Sequence, residues 1–218
     1  MFTGILPRKE LHAAVCGICL GFAQSATASS VLTSFDFDAD AGGFTNGPDV
    51  VAAGLGVPGW YAATGSVADF AGVTGRALAA RNFAAGNAFV LEITVGSGFI
   101  ARIDGVAFDH VASASGPTQW TLRIDGTDVG GGATPATFER FDDTFALGPL
   151  SGALRIELRG LGASSNNGTY RLDNFTLSGS VAPVPLPPAL VFAGSVAALL
   201  PFARRRRVGV GPFTPLVE

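Results

Sequence analysis

Apolar and polar residues alternate with a period of two along much of the middle of the chain. Phe89, Leu91, Ile93 and Val95 alternate with Val90, Glu92 and Thr94. Trp120, Leu122 and Ile124 alternate with Thr121, Arg123 and Asp125, and Leu154, Ile156 and Leu158 with Arg155, Glu157 and Arg159. Successive side chains of a strand point to opposite faces, so each stretch predicts a half-buried antiparallel strand. Shorter runs of the same kind cover Val31 to Asp38, Val106 to His110, Phe138 to Leu147 and Thr169 to Leu177. Turns such as Gly130-Gly131-Gly132 and Ser164-Ser165-Asn166-Asn167-Gly168 separate them. No segment between them carries the 3.6-residue period of a long helix. Seven or more strands without crossover helices predict an all-β fold, an antiparallel β-sandwich of two packed sheets. From Gly42 to Gly86 the chain is rich in Gly and Ala and its periodicity weakens, which predicts short strands and long loops.

The two ends follow a different pattern. Arg8 and Lys9 precede an apolar stretch from Leu11 to Phe22, and Ala26-Thr27-Ala28 supplies small residues at the −3 and −1 positions of a signal-peptidase site. Residues 1–28 therefore read as a signal peptide cleaved after Ala28. Both cysteines, Cys16 and Cys19, lie inside it, so the mature chain would hold no disulfide. At the other end, prolines from Pro183 to Pro188 predict an extended spacer, since each fixes φ and lacks an amide donor. An uncharged run from Ala189 to Ala203 follows, and then Arg204-Arg205-Arg206-Arg207. The run is shorter than the roughly 20 residues that span a bilayer as a helix. It predicts a single, marginal transmembrane helix whose arginines stay cytoplasmic and whose preceding domain lies outside.

Setting the ends aside changes the charge. The whole chain has a formal net charge of −3, but residues 29–182 hold fifteen acids against eight arginines and no lysine, a charge of −7. Such a surface offers no footprint for nucleic acid or anionic headgroups. Residues 29–182 form one domain of ordinary size, followed by the spacer, helix and arginines in 183–207 and a tail in 208–218.

The tail, Val184-Pro185-Leu186-Pro187, the apolar run and Arg204 to Arg207, resembles the PEP-CTERM sorting signal of Gram-negative bacteria. The resemblance implies export by the general secretory route and an inner-membrane precursor. An exosortase, a membrane-embedded cysteine transpeptidase, would then process it near the proline motif, leaving the product at the cell surface or in the extracellular matrix. The chain would be its substrate. Leu186 stands where glutamate is commonest, and Val208 to Glu218 trail the arginines where such signals usually stop. A permanent single-pass anchor is the alternative that the same zones would serve.

Two stretches of the domain, Ser115 to Arg123 and Gly168-Thr169-Tyr170-Arg171-Leu172-Asp173-Asn174-Phe175-Thr176-Leu177-Ser178-Gly179, resemble the extracellular domains that commonly precede this signal. That resemblance implies a fold like the jelly rolls of carbohydrate-binding modules. Within the second stretch Leu172 has the parity opposite to Phe175 and Leu177, and a bulge at Asp173-Asn174 would bring both sets to one face. Asp36, Asp38 and Asp40 alternate with Phe35, Phe37 and Ala39 on the first strand. If first and last strands pair, a structural Ca²⁺ held by Asp36 or Asp38 with Asp173 is one reading. The other leaves the first set solvated and Asp173 bonded to backbone amides.

Catalytic patterns are sparse. His110, the one histidine outside the signal peptide, lies beside Asp109 and reads as a strand-end surface residue; no Gly-x-Ser-x-Gly elbow accompanies it. Glu92, Glu139 and Glu157 with the aspartates could supply a glycosidase pair, but no spacing fixes any two of them. Trp120 is in phase with the core, whereas Trp60 and Tyr61 lie in the Gly/Pro loop Val57-Pro58-Gly59-Trp60-Tyr61, where exposed rings could stack on sugars. The sequence thus predicts a non-catalytic structural or adhesive component of an exopolysaccharide-rich envelope. A carbohydrate-binding module comes second and a glycan hydrolase third.

Overall fold

The computed structural model describes residues 29–39 and 42–184. The signal peptide with Ala26 and Ala28, Asp40, and the sorting signal from Pro185 through Leu186, Pro187 and Arg204 to Arg207 lie outside the described residues. No helix among the described residues is long and apolar enough to cross a membrane.

Fifteen strands follow in order: β1 (Ser30–Phe35), β2 (Asp38–Ala39), β3 (Gly43–Phe44), β4 (Val50–Val51), β5 (Leu55–Gly56), β6 (Tyr61–Ala62), β7 (Ala68–Ala71), β8 (Arg76–Ala80), β9 (Ala88–Val95), β10 (Phe99–Ala112), β11 (Gln119–Ile124), β12 (Thr127–Ala133), β13 (Glu139–Leu150), β14 (Gly152–Leu161) and β15 (Tyr170–Pro183). One sheet runs β13-β10-β15-β1-β4, with β8 also on β15 and β7 on β8. The other runs β12-β11-β14-β9-β5, with β6 also on β9. The pairings are antiparallel, and β2 and β3 form a separate two-stranded ribbon.

The three long alternating stretches are β9, β11 and β14, which lie side by side in the second sheet, with Leu122 opposite Leu158 and Leu158 opposite Phe89. Their inward rows meet the first sheet face to face. Phe108 of β10 lies edge-on to Trp120 of β11 at 5.4 Å, and Tyr170 of β15 meets Phe89 of β9 at 5.7 Å. Aromatic pairs at these distances add to the burial of their apolar area. One contiguous core fills the space between the sheets, so the fold is a β-sandwich.

The strand β15 is the spine of the first sheet. It pairs with β10 along its length, while its other edge is shared: Tyr170 to Leu172 pair with β8, and Phe175 to Gly179 with β1. Between Ala107–Thr176 and Asp109–Asp173 two steps along β10 face three along β15. The extra residue is Asn174, at φ 47° in the left-handed region that asparagine tolerates better than most side chains. This is the expected bulge, and with it Tyr170, Leu172, Phe175 and Leu177 all point inward.

Two expectations are corrected. The alternation from Phe35 to Ala39 is not one strand face, because β1 ends at Phe35 and Phe37 turns at φ 62° before β2. Trp60 is not an exposed loop ring but 1% exposed, edge-on to Phe175 at 4.8 Å and to Phe35 at 6.1 Å. The Asn46 side chain holds it there, accepting from Trp60 N at 3.0 Å and donating to Trp60 O. That clamp mimics a strand neighbour and aims the indole inward.

Trp60 and Trp120 are thus both core residues. Replacing either by alanine should cost roughly 3–5 kcal/mol through lost burial and the cavity left behind. Urea unfolding of Trp60→Ala and Trp120→Ala should show comparable losses; a Trp60→Ala protein as stable as the parent would contradict its placement.

Candidate functional site

Two polar regions carry the residues singled out in the sequence. The first surrounds the bulge. The turn Gly72-Val73-Thr74-Gly75, which joins β7 to β8, lies against Asp38 and Asp173. Asp173 Oδ2 accepts from Val73 N at 2.7 Å and its Oδ1 from Asn174 N at 2.9 Å. Asp38 Oδ1 accepts from Arg76 N at 2.7 Å. The approach is close enough to require glycine: a Cβ on Gly72 would strike Asp173 Oδ2, and one on Gly75 (φ +68°) would strike Asp38. Asp36 turns back on its own chain and accepts from Asp38 N at 2.9 Å.

These contacts bear on the calcium reading. First and last strands do pair, with Phe35 opposite Phe175. The three carboxylates accept from separate backbone amides. Among the described residues no group of three or more His, Cys, Asp or Glu is arranged to hold a metal. Asp36, Asp38 and Asp173 each accept from a backbone amide, and these bonds fix a turn and a bulge. Asp173 is 1% exposed, and burial pushes its carboxyl up to about 6; Asp109 and Asp38 push the same way, and the two amide donors oppose them.

The second region is the outer face of the second sheet. Ala62 is buried, so its neighbour Tyr61 on β6 faces outward and is 39% exposed. Cross-strand pairing sets Tyr61 opposite Val90, Val90 opposite Glu157, and Glu92 opposite Arg155. The Tyr61 hydroxyl donates to Glu92 Oε1 at 2.9 Å and accepts from Arg155 Nη1 at 3.0 Å. Arg155 also reaches Glu92 Oε1 at 2.8 Å and Glu157 Oε1 at 2.7 Å. Glu92 and Glu157 thus share one guanidinium and do not face each other across a cleft. The arrangement presents a phenol ring anchored at its tip on a flat polar face, whose exposed ion pairs contribute little stability each.

His110 is corrected as well. It is 3% exposed, edge-on to Trp120 and Phe108, with Nδ1 2.9 Å from the Tyr170 hydroxyl. Burial lowers its pKa to about 4, against a smaller opposing pull from Asp109, so it stays neutral near pH 7. The signal for this was present in the sequence, since His110 shares the parity of Val106 and Phe108. Tyr170 likewise shares the parity of Leu172. The ion-pair network around Arg155 had no such signal, because it joins three separate strands.

The raised Asp173 value has a definite sign. A folded-state pKa of about 6 above an ordinary value of 3.8 means the folded form holds the proton more tightly. The resulting stabilisation is full below pH 3.8 and is lost as pH rises through 6. His110 acts in the opposite sense, so only the difference from an Asp173→Asn variant isolates the carboxyl. Relative to that variant, the parent should lose on the order of 2–3 kcal/mol between pH 4 and pH 7 by urea unfolding. A difference that stays constant across that range would show that burial does not set the Asp173 titration.

No family model matches the chain, and no curated protein matches it. Among solved structures, it is similar to the tandem CBM22-1–CBM22-2 domain of Paenibacillus barcinonensis Xyn10C, at 14% identity over 76% of this chain and 50% of that one, with a TM-score of 0.43. It is similar to the CBM36-1 domain of a multidomain xylanase from the hindgut metagenome of Trinervitermes trinervoides, at 12% identity over 55% of this chain and 90% of that one, TM-score 0.39. A third is the family 11 carbohydrate-binding module of Clostridium thermocellum, solved with a β-1,3-1,4-mixed-linked tetrasaccharide, at 13% identity over 68% and 96%, TM-score 0.36. At these identities and scores the likenesses carry no argument about what this chain binds.

Proposed function

We propose that the chain is an exported, non-catalytic β-sandwich protein, sorted through its tail to the cell surface or extracellular matrix as a structural or adhesive component. One observation supports this reading most. The spine strand β15 ends at Pro183, and Val184 N still bonds Gly98 O at 2.8 Å. The folded domain therefore hands over directly to the Val184-Pro185-Leu186-Pro187 motif, with no spare linker between the last strand and the processing signal. A proline spacer placed there holds the domain off the membrane and presents the motif to a processing enzyme.

Binding of carbohydrate is the second reading, and its support has moved. Trp60 is core, so only Tyr61, an exposed ring whose hydroxyl is fixed by Glu92 and Arg155, remains for stacking on a sugar. A hydrolase ranks below both, since the Glu92 and Glu157 carboxylates are committed to Arg155.

Neutralising Arg204 to Arg207 should remove the stop at the cytoplasmic face, and cell fractionation should show loss of the membrane-bound precursor. Unchanged precursor and mature product would reject the sorting role. Separately, Tyr61→Ala should fold normally. If the second reading holds, the variant loses retention on insoluble polysaccharide; retention equal to the parent's would remove Tyr61 from it.

A further inference from the structure

Among the described residues, one groove lined without an acid surrounds Arg81, and a larger one borders Arg171. The larger lies where the segments after β10 and β12 meet the start of β15, and has a volume of about 700 Å³, within the usual span of ~300–1,000 Å³ for ligand sites. Pro117, Pro135 and Phe138 give it apolar walls, Ser113 and Thr137 contribute hydroxyls, and Arg171 is its single charged residue.

The rest of the molecule shows why Arg171 is unusual. Arg76, Arg123, Arg140, Arg155 and Arg159 each pair with a carboxylate within 4 Å. Arg81, Arg102 and Arg171 have no carboxylate partner among the described residues, and of these three only Arg171 has a buried, unmatched donor. The Arg171 guanidinium lies 5.2 Å from the centre of the Phe70 ring, and Nη1 makes one long bond, 3.3 Å, to Ala71 O. Its Nε is buried and finds no partner among the described residues. A buried guanidinium donor left unmatched is costly, and a planar fork of N–H groups matches a carboxylate in two parallel bonds. Pairing with Phe70 also fixes the plane of the fork in advance, which lowers the cost of ordering it on binding.

We infer that this groove binds a carboxylate borne on a sugar, a uronate unit of an acidic polysaccharide, with Arg171 as the anchor of the carboxylate. The charge complementarity rests on the residues of the groove; the choice of sugar rests on the envelope reading. Apolar walls of proline and phenylalanine suit the C–H faces of a pyranose ring, while the two hydroxyls suit its edge.

The test is calorimetric titration of the full chain, purified in mild detergent, with a galacturonate trimer, the neutral galactose trimer and inorganic phosphate. The parent should bind the uronate trimer and neither of the others at the same concentration. Arg171→Met should weaken binding about tenfold or more, and Arg171→Lys, which keeps the charge but not the fork, should fall between. Arg171 also ties β15 to Phe70 and Ala71, so a second variant leaves it in place: Ala136→Trp, at an exposed position on the groove wall, should block the trimer by a similar factor with an unchanged melting curve. Arg102→Met, which removes an exposed arginine away from the groove, should bind as the parent does. Failure of the uronate trimer to bind, equal binding of the neutral trimer, equal binding of phosphate, or full binding by Ala136→Trp would each overturn the inference. Sorting is read by fractionation and binding by titration, so failure here is distinguishable from failure of the envelope reading.

Discussion

One inserted residue, Asn174, sets the geometry on which the first sheet depends. A regular strand from Tyr170 to Pro183 would bury Tyr170 and Leu172 or Phe175 and Leu177, but not both sets, because its side chains alternate without exception. The step of φ to 47° at Asn174 resets the parity. It also coincides with the point where the neighbour of β15 changes from β8 to β1, so the irregularity falls where the ladder on that edge is already interrupted. Asp173 is the polar consequence. Its carboxylate is buried at the break, and the amides of Val73 and Asn174 satisfy it. That in turn requires glycine at position 72 of the docking turn.

From this spine the two sheets take their relation. Phe175 touches Phe35, Phe108 and Trp60, which come from β1, β10 and the approach to β6. A ring that meets three distant segments closes the end of the sandwich where the short strands gather. At the opposite end of the bulge, Tyr170 packs on Phe83 and Phe89 and meets His110. The hydroxyl and imidazole satisfy each other in an otherwise apolar core, which is the condition for burying either. The outer surfaces carry a wet face around Tyr61 on one sheet and, at the edge of the other, a groove bordered by Arg171.

Much of this was legible in the sequence wherever one face is wet and the other dry. The strands β9, β11 and β14 alternate cleanly for that reason, and the parity conflict at Leu172 predicts the bulge at Asp173-Asn174. The stretch from Gly42 to Gly86 was legible only in kind, as short strands and loops. What the pattern missed depended on partners remote in sequence. Trp60 follows a Pro-Gly pair that suggests an exposed loop, yet the Asn46 amide, fourteen residues away, turns its ring into the core. For Asp173 the sequence left a cation and backbone amides as alternatives, because the Val73 amide that bonds it belongs to a turn no local pattern ties to it. Arg171 gave no signal at all, since an unpaired charge is defined by the neighbours it lacks.

Native-state hydrogen exchange of the full chain tests the role of β15 most directly. If this strand is the spine, the amides of Leu172, Phe175 and Leu177 should exchange only through global unfolding, with protection equal to the highest in β9 and β14 and falling in parallel with them as denaturant is added. Contradiction would come from β15 amides that exchange through a separate, lower-energy opening while β9 and β14 remain protected, since the first sheet would then hold together without the strand on which this account builds it.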